Sequence, residues 1–217
     1  MTLPFSHAEF LAVFEAYNLG LWPYTATLWV LAVAAFGVAL IGRRGQRLVT
    51  AILAIQWAWS GIAYHLVHFS TINAAAIIFG VFFLLQALLL CQAAWHSTLQ
   101  YAWRPTTRSL CGAVIAAYGL AYPAMAAWLV GGFPRMPTFG VPCPTTLFTT
   151  GLLLMATPLR ASLFIIPLIW AVIGGSAALL FDMTPDFALI VVGIIAFLFL
   201  VISRSRTREE ADHARTV

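Results

Sequence analysis

Long apolar runs alternate with short polar breaks along the whole chain. A membrane-spanning helix needs about 20 consecutive apolar residues, and seven segments approach that length. These segments are residues 24–42, 48–68, 72–95, 108–130, 143–158, 161–181 and 185–203. The pattern predicts an all-α fold, a polytopic membrane helix bundle with about seven transmembrane helices.

The N-terminal segment has a different pattern, because acidic residues interrupt it. Ser6 and Glu9 fit a capping box at the start of a helix, and four aromatic or apolar residues follow at helical spacing. This stripe consists of Phe10, Val13, Phe14 and Tyr17. We therefore expect an N-terminal amphipathic interfacial helix that lies on the outer membrane surface ahead of the first span.

The arginines divide the predicted loops into two sides. Ten of the 11 cationic residues, all Arg, fall in the first, third and fifth loops and in the C-terminal tail, and only Arg135 falls on the other side. Cytoplasmic loops carry an excess of basic residues. The pattern predicts a multi-pass protein of the bacterial inner membrane with a periplasmic N-terminus. We expect one integral membrane domain over residues 1–203 and a polar cytoplasmic tail over residues 204–217.

Composition excludes a soluble domain. Hydrophobic residues make up 62% of the 217 residues and charged residues only 8%, whereas soluble domains carry about 25% charged residues. This number of charged residues is too small to cover a surface that faces water. We therefore expect the lipid bilayer to be the partner of this surface. The basic residues form no single patch, and we expect no nucleic-acid partner. The sequence is compatible with a homo-oligomer as well as with a monomer.

A Pro-Cys-Pro sequence opens the fifth span. Proline in the first helical turn loses no helix hydrogen bond, so Pro144 should start the helix with Cys143 in its cap region. The free amides and positive dipole end there favour a thiolate, which is a soft metal ligand. Thr145, Thr146 and Thr149 follow at helical spacing. Their hydroxyls either line a polar path or form hydrogen bonds within the bundle.

Two histidines near the end of the second span are three residues apart, a spacing that puts them on one face of an α-helix. His65 and His68 either supply imidazole ligands to a transition-metal ion, with Cys143 as a further ligand, or bond to loops, tyrosines or water. The other polar residues expected in a vestibule at the outer face are Glu15, Tyr64, Asn73 and Asp182.

Four sequence blocks together resemble a family of uncharacterised bacterial membrane proteins, a domain of unknown function whose members are sometimes labelled permease-like. The blocks are FEAYNLGLWP (14–23), WAWSGIAYHLVHFSTINAAAIIFGVFF (57–83), TFGVPCPTTLFTTGLLL (138–154) and IPLIWAVIGGSAALL (166–180). This resemblance implies an all-helical membrane fold over most of the chain, up to about Leu189.

A second resemblance is local to the fifth span. The stretch GVPCPTTLFTTGLLL is similar to the Gly-x-Pro-Cys-Pro start of a span in nickel/cobalt permeases of the NicO type. Gly140, Pro142, Cys143 and Pro144 carry this likeness. The His-rich loop typical of many such permeases is absent from this sequence.

These features favour a transporter or permease-like protein for a small solute or a soft metal ion, with a polar vestibule at the outer face. The alternatives are a membrane-embedded metal-dependent enzyme and a non-catalytic accessory subunit of a membrane complex. The sequence contains no Walker A, GxSxG, HExxH or GxGxxG motif. ATP-driven transport by this chain alone and the familiar soluble hydrolase sites are therefore unsupported, and we favour a role without catalysis over an enzyme.

Overall fold

The computed structural model describes residues 5–42, 44–181 and 183–216, with the side chains of the last helix as far as Ser205. Within these residues the chain forms seven α-helices. They are α1 (His7–Ile41), α2 (Gln46–Trp59), α3 (Ala76–Trp95), α4 (Thr107–Leu129), α5 (Pro142–Met155), α6 (Ile165–Leu180) and α7 (Phe187–Thr216). The predicted all-α bundle is confirmed.

Shorter elements connect or extend these helices. A π-helix, Ser60–His68, continues α2 without a break. Three 3-10 turns precede α3, α6 and α7, and two short strands pair antiparallel. The turns are Phe69–Thr71, Ala161–Phe164 and Thr184–Asp186, and the strands are β1 (Gln100–Tyr101) and β2 (Ala156–Thr157).

Five helical segments of the described chain are long and apolar enough to cross a membrane. They are α1, α3, α4, α6 with its preceding turn, and the segment Thr184–Ser205, which joins the turn before α7 to the first part of α7. The combined α2 and π-helix, residues 46–68, is a further continuous helical segment of spanning length. α5 has only 14 residues and is therefore about 21 Å long, shorter than the hydrocarbon core of about 30 Å.

α5 is the central helix of the bundle. Every residue in it is buried except Cys143, which is half-buried. α4 and α5 approach with their backbones almost in contact: a Cβ on Gly119 would lie 2.8 Å from the Phe148 amide nitrogen, and one on Gly151 would lie 2.6 Å from the Gly112 carbonyl oxygen. Other helices surround α5, so its threonines lie within protein.

The N-terminal helix differs from its prediction. The capping box of Ser6 and Glu9 is confirmed, but α1 then runs unbroken for 35 residues past Pro23, a length of about 50 Å. The segment expected to be a separate interfacial helix is the first part of this helix. Its apolar stripe is buried, as the spacing indicates, but it packs against protein rings such as Phe69 and Phe181.

Two arginines cap helix C-termini at one end of the bundle, called here the Arg-rich end. Arg47 donates to the carbonyl oxygens of Ala94 at 3.0 Å and Trp95 at 2.7 Å, where α3 ends. Arg108 donates to the carbonyl oxygen of Ala156 at 2.7 Å, where α5 ends. A cation is favourable at the negative end of a helix dipole. These arginines therefore stabilise the fold.

Candidate functional site

A cavity of about 210 Å³ lies at the opposite end of the bundle, where α5 begins. α1, the π-helix, α3, α4, α5, α6 and the turn before α7 all contribute residues to it. Its apolar walls include Phe10, Phe14, Phe69, Phe79, Trp170 and Phe181. Its polar groups belong to Tyr64, Asn73, Tyr122, Cys143, Ser176 and Asp186. Ligand sites typically combine mostly apolar walls with a few convergent polar groups.

Three polar side chains from distant parts of the sequence meet in the wall of this cavity. The Tyr122 hydroxyl donates to Oδ1 of Asp186, and the Cys143 thiol lies close enough to the same carboxyl group to interact with it. The Tyr118 hydroxyl donates to the Pro185 carbonyl oxygen at 2.9 Å and holds the adjoining turn. Asp186 is only 4% exposed, so its carboxyl group is a buried acceptor.

The local sequence explains how two of these side chains are positioned. α5 begins at Pro142, as proline favours, and this puts Cys143 in the first turn of the helix. Asp186 ends a 3-10 turn that begins Thr184-Pro185, and its amide donates to the Met183 carbonyl oxygen at 2.9 Å. The prediction that a helix starts at the Pro-Cys-Pro sequence is confirmed, but the helix begins at Pro142 rather than at Pro144, so Cys143 lies in the first turn and not in the cap region.

Trp170 separates the cavity from a fully buried histidine. The ring centroids of Trp170 and His65 are 5.1 Å apart. Four more aromatic rings contact the imidazole, those of Tyr64, Phe69, Phe79 and Phe83. Neither ring nitrogen of His65 has a hydrogen-bond partner among the described residues. Buried polar groups are almost always paired, so this imidazole is an exception.

The structure separates the two predicted histidines. Nδ1 of His68 lies 2.6 Å from the Ala63 carbonyl oxygen, and its ring packs edge-on against Tyr17 at 5.4 Å. Neither His65 nor His68 lines the cavity, whereas Cys143 does. Both histidines belong to the π-helix, whose wider turn changes which side chains share a face. Within the described residues, no group of three or more metal-ligating side chains occurs.

The predicted threonine stripe lies in the core rather than in the cavity wall. Thr145, Thr146 and Thr149 are all buried. Thr149 accepts a hydrogen bond from the indole nitrogen of Trp57 at 2.8 Å. The Thr145 and Thr146 hydroxyls have no partner among the described residues. Of the two roles that the sequence allowed, a polar path or hydrogen bonds within the bundle, Thr149 therefore has the second.

Two acidic residues, Glu15 and Asp182, were predicted to lie in the vestibule. Glu15 forms an ion pair with Arg135 at 2.7 Å, on the exposed surface. Asn18, one turn away, donates to two carbonyl oxygens of the same loop. Glu15 therefore helps to hold the segment that leads into α5. Asp182 lies outside the residues that the structure describes.

Sequence reasoning missed two residues of the site, Tyr122 and Asp186. Of the two acids in the stretch FDMTPD, the sequence pointed to Asp182 as the vestibule residue, but Asp186 is the one that lines the cavity. The signals available were weak: Tyr122 stands before a proline inside a span, and Asp186 begins the last span. Among the predicted residues that the structure describes, those that line the cavity are Tyr64, Asn73 and Cys143.

Comparison with known proteins gives one family. A model described as a family of unknown function, DUF6064, matches residues 7–211. No curated protein and no solved structure matches the chain. The first sequence resemblance, to an uncharacterised family, agrees with this match. The local likeness to nickel/cobalt permeases is not shown by it.

Proposed function

Because the chain belongs to the DUF6064 family, whose function is unknown, we propose from the cavity itself that this membrane protein binds a small organic solute and acts as a permease. The observation that carries this proposal is the cavity of about 210 Å³, in which one buried carboxyl group faces walls that are mostly aromatic. Tyr64, Asn73, Tyr122, Cys143 and Asp186 would be the polar contacts of the solute.

The backbone around the cavity supports a transport role. α5 covers only part of a membrane thickness, and its first turn opens on the cavity. The residues that lead into it, Pro137 to Val141, are buried without forming a helix. Non-helical backbone at membrane depth is tolerated where protein covers it. Short or interrupted helices that end at a central site are a recurrent feature of transporters.

The distribution of arginine supports a location in the bacterial inner membrane. The Arg-rich end would face the cytoplasm together with the C-terminus, following the positive-inside rule. The cavity lies at the other end of the bundle, so it would face the periplasm. Solute would then be taken from the periplasmic side.

A soft metal ion is the second candidate solute, because Cys143 offers a thiol beside the Asp186 carboxyl group. A protein site for such an ion usually has three or four ligands. Within the described residues, these two groups are the metal-ligating side chains in the cavity lining. The alternative of a metal-dependent enzyme was based on His65, and aromatic rings surround that imidazole instead.

Filling the cavity tests the proposal. Ala177 lines the cavity, and Val172 lies on the exposed side of the same helix, with 74% of its surface accessible. We expect an organic molecule to co-purify with the wild-type protein in mild detergent and with Val172→Trp, and to be lost from Ala177→Trp. Mass spectrometry of the extracted small molecules measures this, and melting temperatures check that both variants fold.

Two outcomes would contradict the proposal of an organic solute. One is a wild-type protein that carries no organic molecule, and the other is equal occupancy of wild type and Ala177→Trp. Copper or zinc that co-purifies with the wild type and is lost from Cys143→Ser would favour the metal ion instead.

A further inference from the structure

We infer that the solute is an amphiphilic organic cation of the amine class, bound with its charged head at Asp186 and its apolar body against the aromatic walls. This inference rests on the proposed function and names the chemistry of its substrate.

The first observation is that Asp186 is a buried acid whose nearest partners carry no positive charge. A hydroxyl, from Tyr122, and a thiol, from Cys143, are its side-chain neighbours. The ion pair found within the described residues is Arg135 with Glu15, which lies outside this cavity. A buried carboxylate without a counter-charge is energetically unfavourable. Because Asp186 borders an open cavity, a bound cation can supply the missing charge.

The second observation is the type of wall that faces this carboxyl group. Trp170, Tyr64, Tyr122 and Phe181 all line the same cavity as Asp186. The faces of aromatic rings attract ammonium groups, most strongly where water is excluded. A carboxyl group among aromatic rings is therefore suited to an amine or quaternary ammonium head. An anionic solute would meet repulsion from Asp186.

The third observation is a weakly paired donor in the same wall. Trp170 is only 7% exposed, and its indole N–H has no nitrogen or oxygen partner among the described residues. The acceptor beside it is the Cys143 sulfur, which accepts hydrogen bonds only weakly. A buried donor that faces a weak acceptor can take a stronger one from a ligand or a water. The solute would therefore carry an acceptor, such as a hydroxyl or carbonyl oxygen, near its charged head.

The fourth observation concerns the route into the cavity. Phe5, Phe10, Phe69 and Phe181 close it at the end of the bundle, with Phe5 and Phe181 stacked at 4.9 Å. Ser176 and Leu180 are the lining residues on the exposed side of α6, where Leu180 is 57% accessible. That side of the helix also exposes apolar residues, Val172 and Leu179, which would face lipid in a membrane. Access from this side would therefore favour a solute that dissolves in the membrane.

A probe series with one apolar body and three head groups tests the charge. The probes are 4-phenylbutylamine, 4-phenylbutanol and 4-phenylbutyrate. Cys143 reports occupancy, because it lines the cavity and becomes the only cysteine in a Cys91→Ser, Cys111→Ser background. The rate of alkylation of purified protein by N-ethylmaleimide is measured with increasing probe. Thermal unfolding with the same probes gives a second, label-free ranking.

The amine should protect Cys143 and raise the unfolding temperature at about tenfold lower concentration than the alcohol, because a charge-assisted contact is stronger than a neutral one. The acid should protect least. Asp186→Asn should bind the amine and the alcohol alike, whereas Asp186→Glu, which keeps the charge, should retain selectivity for the amine.

Equal binding of amine and alcohol by the wild type would overturn the inference. So would selectivity that survives in Asp186→Asn, or no binding of any probe by either measurement. The wild-type series decides the matter even if a variant fails to fold. Co-purification and the Ala177→Trp variant test the proposed function without reference to charge, so the two failures can be told apart.

Discussion

At the scale of the residue, His65 is the most informative side chain outside the cavity. It is completely buried, and aromatic rings surround it, yet neither nitrogen has a partner among the described residues. The sequence suggested a metal ligand or an interfacial histidine. The contacts instead make its imidazole part of an aromatic cluster behind Trp170, where we expect its shape to matter more than its polarity.

Replacing this imidazole by a benzene ring should leave stability unchanged or increase it. His65→Phe keeps a planar ring and removes two polar atoms that gain nothing from burial. His65→Ala should instead lower the free energy of unfolding by about 2–5 kcal/mol, because it leaves a cavity. Thermal unfolding of the purified variants measures both. If His65→Phe were as damaging as His65→Ala, the nitrogens must bind a water or an ion.

At the scale of the element, the contact between α4 and α5 determines the architecture. α5 can lie at the centre only because glycine at positions 112, 119 and 151 lets the two backbones approach. Small residues serve this purpose in membrane helix pairs generally, since packing drives their association. This packing also places Tyr122 of α4 near the start of α5, where Cys143 lies.

A single methyl group at this contact should therefore separate the helices. Gly151→Ala should lower the free energy of unfolding by about 1–3 kcal/mol through overpacking. The matched control is Gly20→Ala in α1, where no atom lies within 4 Å of the added Cβ. That change should stabilise the helix by roughly 0.5–1 kcal/mol. Denaturation of the two variants side by side measures the difference, and similar effects would show that the α4–α5 contact is looser than described.

At the scale of the whole molecule, the connections bring the Arg-bearing loops together. β1 and β2 join the loop after α3 to the end of α5, and Arg47 and Arg108 cap helices at the same end. Arg135, the exception in the sequence pattern, pairs with Glu15 at the other end. The spatial arrangement thus agrees with the division of the arginines into two sides.

Reporter fusions test the orientation that this division predicts. A fusion after Arg47 and one at the C-terminus should both report a cytoplasmic location, whereas one after Arg135 should report the periplasm. The physical reason is the retention of basic loops on the cytoplasmic side during insertion. A periplasmic signal from either of the first two fusions would contradict the predicted orientation and would place the cavity on the cytoplasmic side.

The sequence by itself determined the helices of this protein. Apolar runs must satisfy their backbone hydrogen bonds internally in a membrane, so run length predicts a helix directly. The capping box at Ser6 and a helix start at the Pro-Cys-Pro sequence are local signals of the same kind, although the sequence placed that start two residues late, at Pro144 instead of Pro142. These features depend on neighbours along the chain, which the sequence displays.

Only the tertiary structure decided which residues form the cavity. Tyr122, Cys143 and Asp186 come together because α4 packs on a buried α5 and a turn places Asp186 beside them. In the π-helix, His65 and His68 lie in different surroundings, and the apolar stripe of α1 packs against protein. All of these depend on contacts between distant segments. A hydrophobic side chain in a membrane protein faces lipid or protein at similar cost, so its pattern along the chain does not choose between them.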